Sequence, residues 1–127
     1  MNPVEINVLI LAYLGDTIYE YYIRKYLIEQ KIATVDALQK KSIDYVSAKS
    51  QAKYLAELQE KNFFTDEEND VLRRARNHKG TGHPKNTDIL TYKHATSLEA
   101  LIGFLELQGK RNRIEEIINE ILEESTC

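Results

Sequence analysis

A lone aspartate, Asp16, interrupts one of the most apolar stretches of the chain, residues 11–20 (LAYLGDTIYE), directly after Gly15. A carboxylate cannot be taken out of water unpaired without a large cost, so any fold of this chain must give Asp16 solvent or a partner. If a helix begins at Asp16, Tyr19, Tyr22, Ile23 and Tyr26 share its inward face, and Asp16 lies half buried at the border of that face. Alternatively Asp16 caps the helix N-terminus, accepting backbone N–H groups at the positive end of the dipole. Gly15 suits either a tight turn or close packing.

A second carboxylate has a similar setting. Glu99, in residues 95–105 (ATSLEALIGFL), flanks a stripe of Leu98, Leu101, Ile102 and Leu105. Two acids on the shoulders of two helices, far apart in sequence, are able to share one metal ion, and oxygen ligands suit Mg²⁺ or Mn²⁺.

The rest of the chain reads as helices. Asn2 and Pro3 open a short one, apolar nearly all round from Val4 to Leu11, which is expected in the core. The next, over about 16–30, carries Tyr19, Tyr21, Tyr22 and Tyr26, a stripe that suits core or a dimer surface better than base stacking. Thr34 caps a third helix to about Val46, and a fourth over 47–60 buries Tyr54, Leu55 and Leu58; neither contains a candidate site. Thr65 and Glu68 form a capping box opening a fifth, to about Asn77 or His78. Residues 79–92 read as irregular, because Gly80, Gly82 and Pro84 break both helix and strand. A sixth helix begins at Ala95 and ends at Gly109, and a seventh, capped by Asn112 with Glu115, runs to about Glu124 on Ile114, Ile117, Ile118, Ile121 and Leu122. About seven helices and no strand give an all-α single domain over residues 1–127.

Charge narrows the function. The chain carries a net −3, which alone argues against nucleic acid as a partner. Between Arg73 and His94, however, six basic residues (Arg73, Arg74, Arg76, Lys79, Lys85, Lys93) face one acid, Asp88, and all three histidines, His78, His83 and His94, fall in the same window. A basic patch on an acidic body is the footprint of phosphate-backbone binding. Helix-end arginines are also favourable for the dipole alone. The histidine spacings fit neither a helical metal pair nor a zinc finger, so surface or RNA-contact roles are expected. Cys127 permits no internal disulfide and no cysteine zinc site. No apolar run is long enough to span a membrane and no signal-peptide layout opens the chain, so a cytoplasmic location is expected.

These motifs carry a resemblance. LAYLGDTIYE resembles the signature helix of the ribonuclease III family, and SLEALIG resembles its second metal-binding segment. The likeness is tightest to the family's short, single-domain Mini branch. It rests on the tyrosine-rich helix after the aspartate, on Arg73, Arg74, Arg76 and Asn77, on residues 84–88 (PKNTD), and on Tyr92 followed by residues 95–103. The resemblance implies an endonuclease that cuts double-stranded RNA with Mg²⁺, Mn²⁺ substituting, and leaves 5′-phosphate and 3′-hydroxyl ends. It makes Asp16 and Glu99 the catalytic metal ligands and assigns RNA contacts to Arg73, Arg74, Arg76, Asn77, Lys79, Lys85 and Lys93. It further implies a homodimer acting on precursor 23S ribosomal RNA, without an appended double-stranded RNA-binding domain. Two positions that are acidic in the larger enzymes are Ala12 and Thr96 here, which predicts a looser metal site; Glu20, one turn beyond Asp16, either compensates in part or serves a surface salt bridge. The competing expectation is a non-catalytic RNA-binding or scaffold module of the same fold.

Overall fold

The axis of the molecule is the helix that bears Glu99. The computed structural model describes residues 1–79 and 87–125, and within them a one-turn 3-10 helix (Pro3–Glu5) precedes six α-helices. These are α1 (Val8–Glu29), α2 (Val35–Val46), α3 (Ala48–Glu60), α4 (Asp66–Arg76), α5 (Ile89–Leu107) and α6 (Arg111–Ser125). No strand occurs among the described residues, so the all-α expectation holds. Helix α5 is buried on every side between Ala95 and Leu105, except at Glu99, and packs against α1, α3, α4 and α6.

Three boundaries differ from the sequence reading. First, α1 runs unbroken through Gly15, so Asp16 is in mid-helix and caps nothing; Asn7 is the cap, its Oδ1 accepting from Leu9 N at 2.8 Å. One interior glycine costs a helix only about 1 kcal/mol, far less than the burial of Leu11, Tyr19, Ile23 and Leu27 along one continuous face returns. The two helices expected on either side of Gly15 are therefore one, and the expected seven become six and a single turn. Second, the apolar N-terminal run is core only in part: Val8 and Leu11 are buried and Ile6 packs against the core, but Val4, Leu9 and Ile10 are exposed. Third, α5 begins at Ile89 rather than Ala95, because Asp88 Oδ2 accepts from Thr91 N at 3.2 Å and starts it two turns early. Asn112 likewise lies inside the first turn of α6 rather than capping it.

Other local readings hold. Thr34 caps α2, and Thr65 with Glu68 makes the capping box of α4; Ser47, expected only as the start of the next helix, also caps α3. Gly109, at φ +73°, closes α5 through Lys110 N to Leu105 O (2.9 Å) and Gly109 N to Glu106 O (3.0 Å), a pairing that needs a left-handed residue. Helix α6 is tied to α4 by Arg113, whose guanidinium donates to Glu68 at 2.8 and 2.9 Å and to Phe63 O at 2.8 Å.

Candidate active site

Glycine sets the geometry of the site. Helices α1 and α5 cross at Gly15 and Gly103, where a Cβ on Gly15 would lie 2.6 Å from the Glu99 carbonyl carbon and 2.9 Å from Gly103 N. Of the two roles open to Gly15, close packing is the one the structure uses. Backbone-to-backbone contact here brings Asp16 and Glu99, 83 positions apart in sequence, side by side.

The two carboxyl groups hydrogen-bond each other across the crossing. Asp16 is exposed, further out than the half-buried seam expected of it, whereas Glu99 is half-buried. Burial, the hydrogen bond to Asp16 and the charge of Asp16 push Glu99 up to about 8, with Glu20 adding a smaller push. Burial beside a second carboxyl therefore keeps Glu99 protonated near neutral pH. A divalent cation fits the same place by the same electrostatics.

Both acids open onto a cleft of about 430 Å³ lined by Leu9, Ala12, Tyr13, Asp16, Tyr92, Thr96 and Glu99. Ala12 and Thr96 thus stand beside the carboxylates, and neither supplies a charge. Among the described residues no group of three or more His, Cys, Asp or Glu converges to hold a metal. Two carboxylates remain, a donor set that fits Mg²⁺, which commonly takes one or two carboxylates and fills its shell with water and substrate phosphate. Glu20 is engaged elsewhere, accepting from Arg24 at 2.8 Å in a surface salt bridge.

Residues of the expected basic patch divide into groups. Arg73 and Arg74, on α4, both pair with Asp70, which lies just outside the window of charge counted in the sequence and draws down part of its positive total. Arg74 also reaches Val4 O at 3.5 Å. Arg76 faces His94 on α5, and burial followed by the Arg76 charge lowers that imidazole below its ordinary value. Asn77 caps the end of α4, Lys79 is exposed, and Lys93 is half-buried beside Tyr92. Lys85, His83 and Cys127 lie outside the described residues. The tyrosine stripe is mainly core: Tyr19 is fully buried, its hydroxyl donating to Tyr45 O at 2.7 Å. Gln51 was missed by sequence reasoning, although its amide reaches Glu99; its place in the apolar register of Tyr54, Leu55 and Leu58 is the available signal.

The ribonuclease III domain family matches residues 9–110, which takes in α1 through α5 and both carboxylates. The chain belongs to the ribonuclease III family. It is 44% identical to the Mini-ribonuclease 3 of Staphylococcus aureus, over 92% of this chain and 87% of the relative. It is 43% identical to that of Brevibacillus brevis, over 94% and 87%. A crystal structure of a Fusobacterium nucleatum protein shares the fold with a TM-score of 0.83 at 33% identity, covering 95% of each chain. As a ribonuclease III family member the chain is an endoribonuclease, with RNA as its substrate. Among the described residues no helix is long and apolar enough to cross a membrane.

Proposed function

We propose that this ribonuclease III family chain is a Mg²⁺-dependent endonuclease specific for double-stranded RNA, with Asp16 and Glu99 as its catalytic, metal-holding residues. The observation that carries this reading is the convergence of those two carboxyl groups from α1 and α5 at the mouth of the cleft. A bound Mg²⁺, or Mn²⁺ in its place, supplies charge neutralisation at phosphorus and an acidified water. Asp16 and Glu99 would hold and orient that cation, for which Glu99 must give up its proton. Ala12 and Thr96, beside the acids, add no charge to the cleft, which leaves room for a phosphate.

Arg76, Lys79 and Lys93 steer the RNA backbone toward the cleft, with Arg73, Arg74, Asn77 and Lys85 completing the contact surface; A-form duplexes are gripped through phosphates and 2′-hydroxyls in this way. A homodimer is supported by the exposed apolar side chains next to the cleft, Tyr13 (82% exposed), Leu9 and Ile10 on α1 with Ile89 and Leu90 on α5. That surface suits a two-fold contact better than the tyrosine stripe, of which Tyr19 is fully buried and Tyr22 and Tyr26 pack on the core. Likeness to the Mini branch extends the proposal to precursor 23S ribosomal RNA, cut at a double-stranded stalk in the bacterial cytoplasm to leave 5′-phosphate and 3′-hydroxyl ends.

The test is a cleavage assay on long double-stranded RNA at low salt, with Mg²⁺ and with EDTA, for the parent, Asp16→Asn and Glu99→Gln. Metal-dependent cutting lost in both variants with duplex binding kept is the expected result. Binding without cleavage under every metal tested would make the chain a scaffold instead.

A further inference from the structure

Gln51 is a polar side chain buried against Glu99, only 2% exposed, on the face of α3 that also buries Tyr54, Leu55 and Leu58. Its Nε2 donates to Val46 O at 2.9 Å and reaches Glu99 Oε2 at 3.5 Å, the limit of a hydrogen bond. A carbonyl oxygen only accepts, so Val46 settles which way the amide points: the NH₂ end faces Val46 and therefore also Glu99. Oε1 is then left buried without a hydrogen-bond partner. A methionine would fill the slot with no orphaned acceptor, so packing alone does not account for the amide. The two amide hydrogens lie in one rigid plane. One closes the last turn of α2, and the other is aimed at the carboxylate on α5. A glutamate's terminal torsion is otherwise soft, with no strongly preferred setting of its own.

We propose that Gln51 is a positioning residue for RNA cleavage: its amide, braced on Val46, holds the Glu99 carboxylate turned toward Asp16 so that both acids present oxygens to one divalent cation. This rests on the metal-site reading above. Gln51 itself touches neither the cation nor the RNA. It acts only through Glu99, as outer partners of metal ligands do.

Mn²⁺ titration of the full chain, with free ion followed by electron paramagnetic resonance, tests this apart from cleavage. Parent, Gln51→Met and Glu99→Gln are compared, with melting temperature and steady-state kinetics on duplex RNA measured alongside. Gln51→Met should weaken Mn²⁺ binding about tenfold and lower kcat by about the same factor, with KM for RNA within about twofold. If Gln51→Met melts earlier but binds Mn²⁺ as the parent does, the amide merely caps α2 and the proposal is wrong. If Glu99→Gln also binds as the parent does, the metal-site reading itself falls, and this inference with it. Should Gln51→Met not fold, the side-chain amide protons of Gln51 are read by NMR in the parent and in Glu99→Ala. One of the two resonances should move and the other stay; two unmoved resonances overturn the proposal.

Discussion

Replacing Glu99 by Gln should stabilise the metal-free protein, and the gain should grow with pH. Burial, the Asp16 hydrogen bond and the Asp16 charge raise Glu99 from 4.5 to about 8 in the folded chain. A raised folded value means that the native state holds the proton more tightly than the unfolded chain does. That contribution to stability is complete below pH 4.5 and is lost as pH rises through about 8. At about 1.4 kcal/mol per unit, the full displacement corresponds to about 5 kcal/mol. Water entering the cleft and small shifts of the two carboxylates relax part of it, leaving about 2–3 kcal/mol. Glutamine keeps the neutral shape and an N–H donor for Asp16 at every pH. Urea denaturation in EDTA at about pH 5 and about pH 9 therefore should find the two proteins nearly equal in acid and the variant ahead by about 2–3 kcal/mol in base. Mg²⁺ should close the gap at high pH by stabilising only the parent. A parent-to-variant difference that is the same at both pH values would refute the argument, since Glu99 would then titrate as an ordinary glutamate.

Gly15→Ala should cost about 3 kcal/mol or more by thermal or urea melting and should abolish cleavage, because its Cβ collides with α5 backbone that no rotamer change can move; retained stability would mean that the crossing loosens freely. Arg113→Met should cost about 3–5 kcal/mol at neutral pH by leaving Glu68, 3% exposed, buried without its partner. Desolvation works against the Glu68 charge, but hydrogen bonds from Arg113 and Thr65 outweigh it and hold that carboxyl below its ordinary 4.5. The parent's advantage should accordingly shrink as pH falls below that value, and a deficit that persists unchanged in acid would contradict this account. Arg76→Ala should flatten the salt dependence of duplex RNA binding, measured by fluorescence anisotropy, by about one unit of log–log slope; an unchanged slope places Arg76 outside the phosphate contacts.

Local chemistry carried most of the helix ends. Caps at Thr34 and Thr65 and the helix end at Gly109 depend on a few neighbouring residues, so they were legible one by one. The same logic misled at Gly15 and Asp16. Glycine followed by aspartate is a good local stop-and-start signal, and only the packing of a continuous α1 on α5 outweighs it. Residues 89–94 were misread for a related reason: breakers upstream masked Asp88 as the cap. In the site, Asp16 and Glu99 stood out because a carboxylate beside an apolar stripe is costly without a purpose. Gln51 did not, because a neutral amide in a helix costs little until its surroundings are known to be closed.

By itself, then, the sequence determined the all-helical class, the caps at Thr34 and Thr65, the family and the two acids as candidates, because each of these is written in short-range pattern or in residue type. Tertiary structure alone decided that the helix of Glu99 is the central one and that two glycines let it touch α1. It also decided that Asp70 lies against Arg73 and Arg74, and that a glutamine from a third helix meets the carboxylate of Glu99. Those facts depend on distances between residues dozens of positions apart, which periodicity along the chain does not encode.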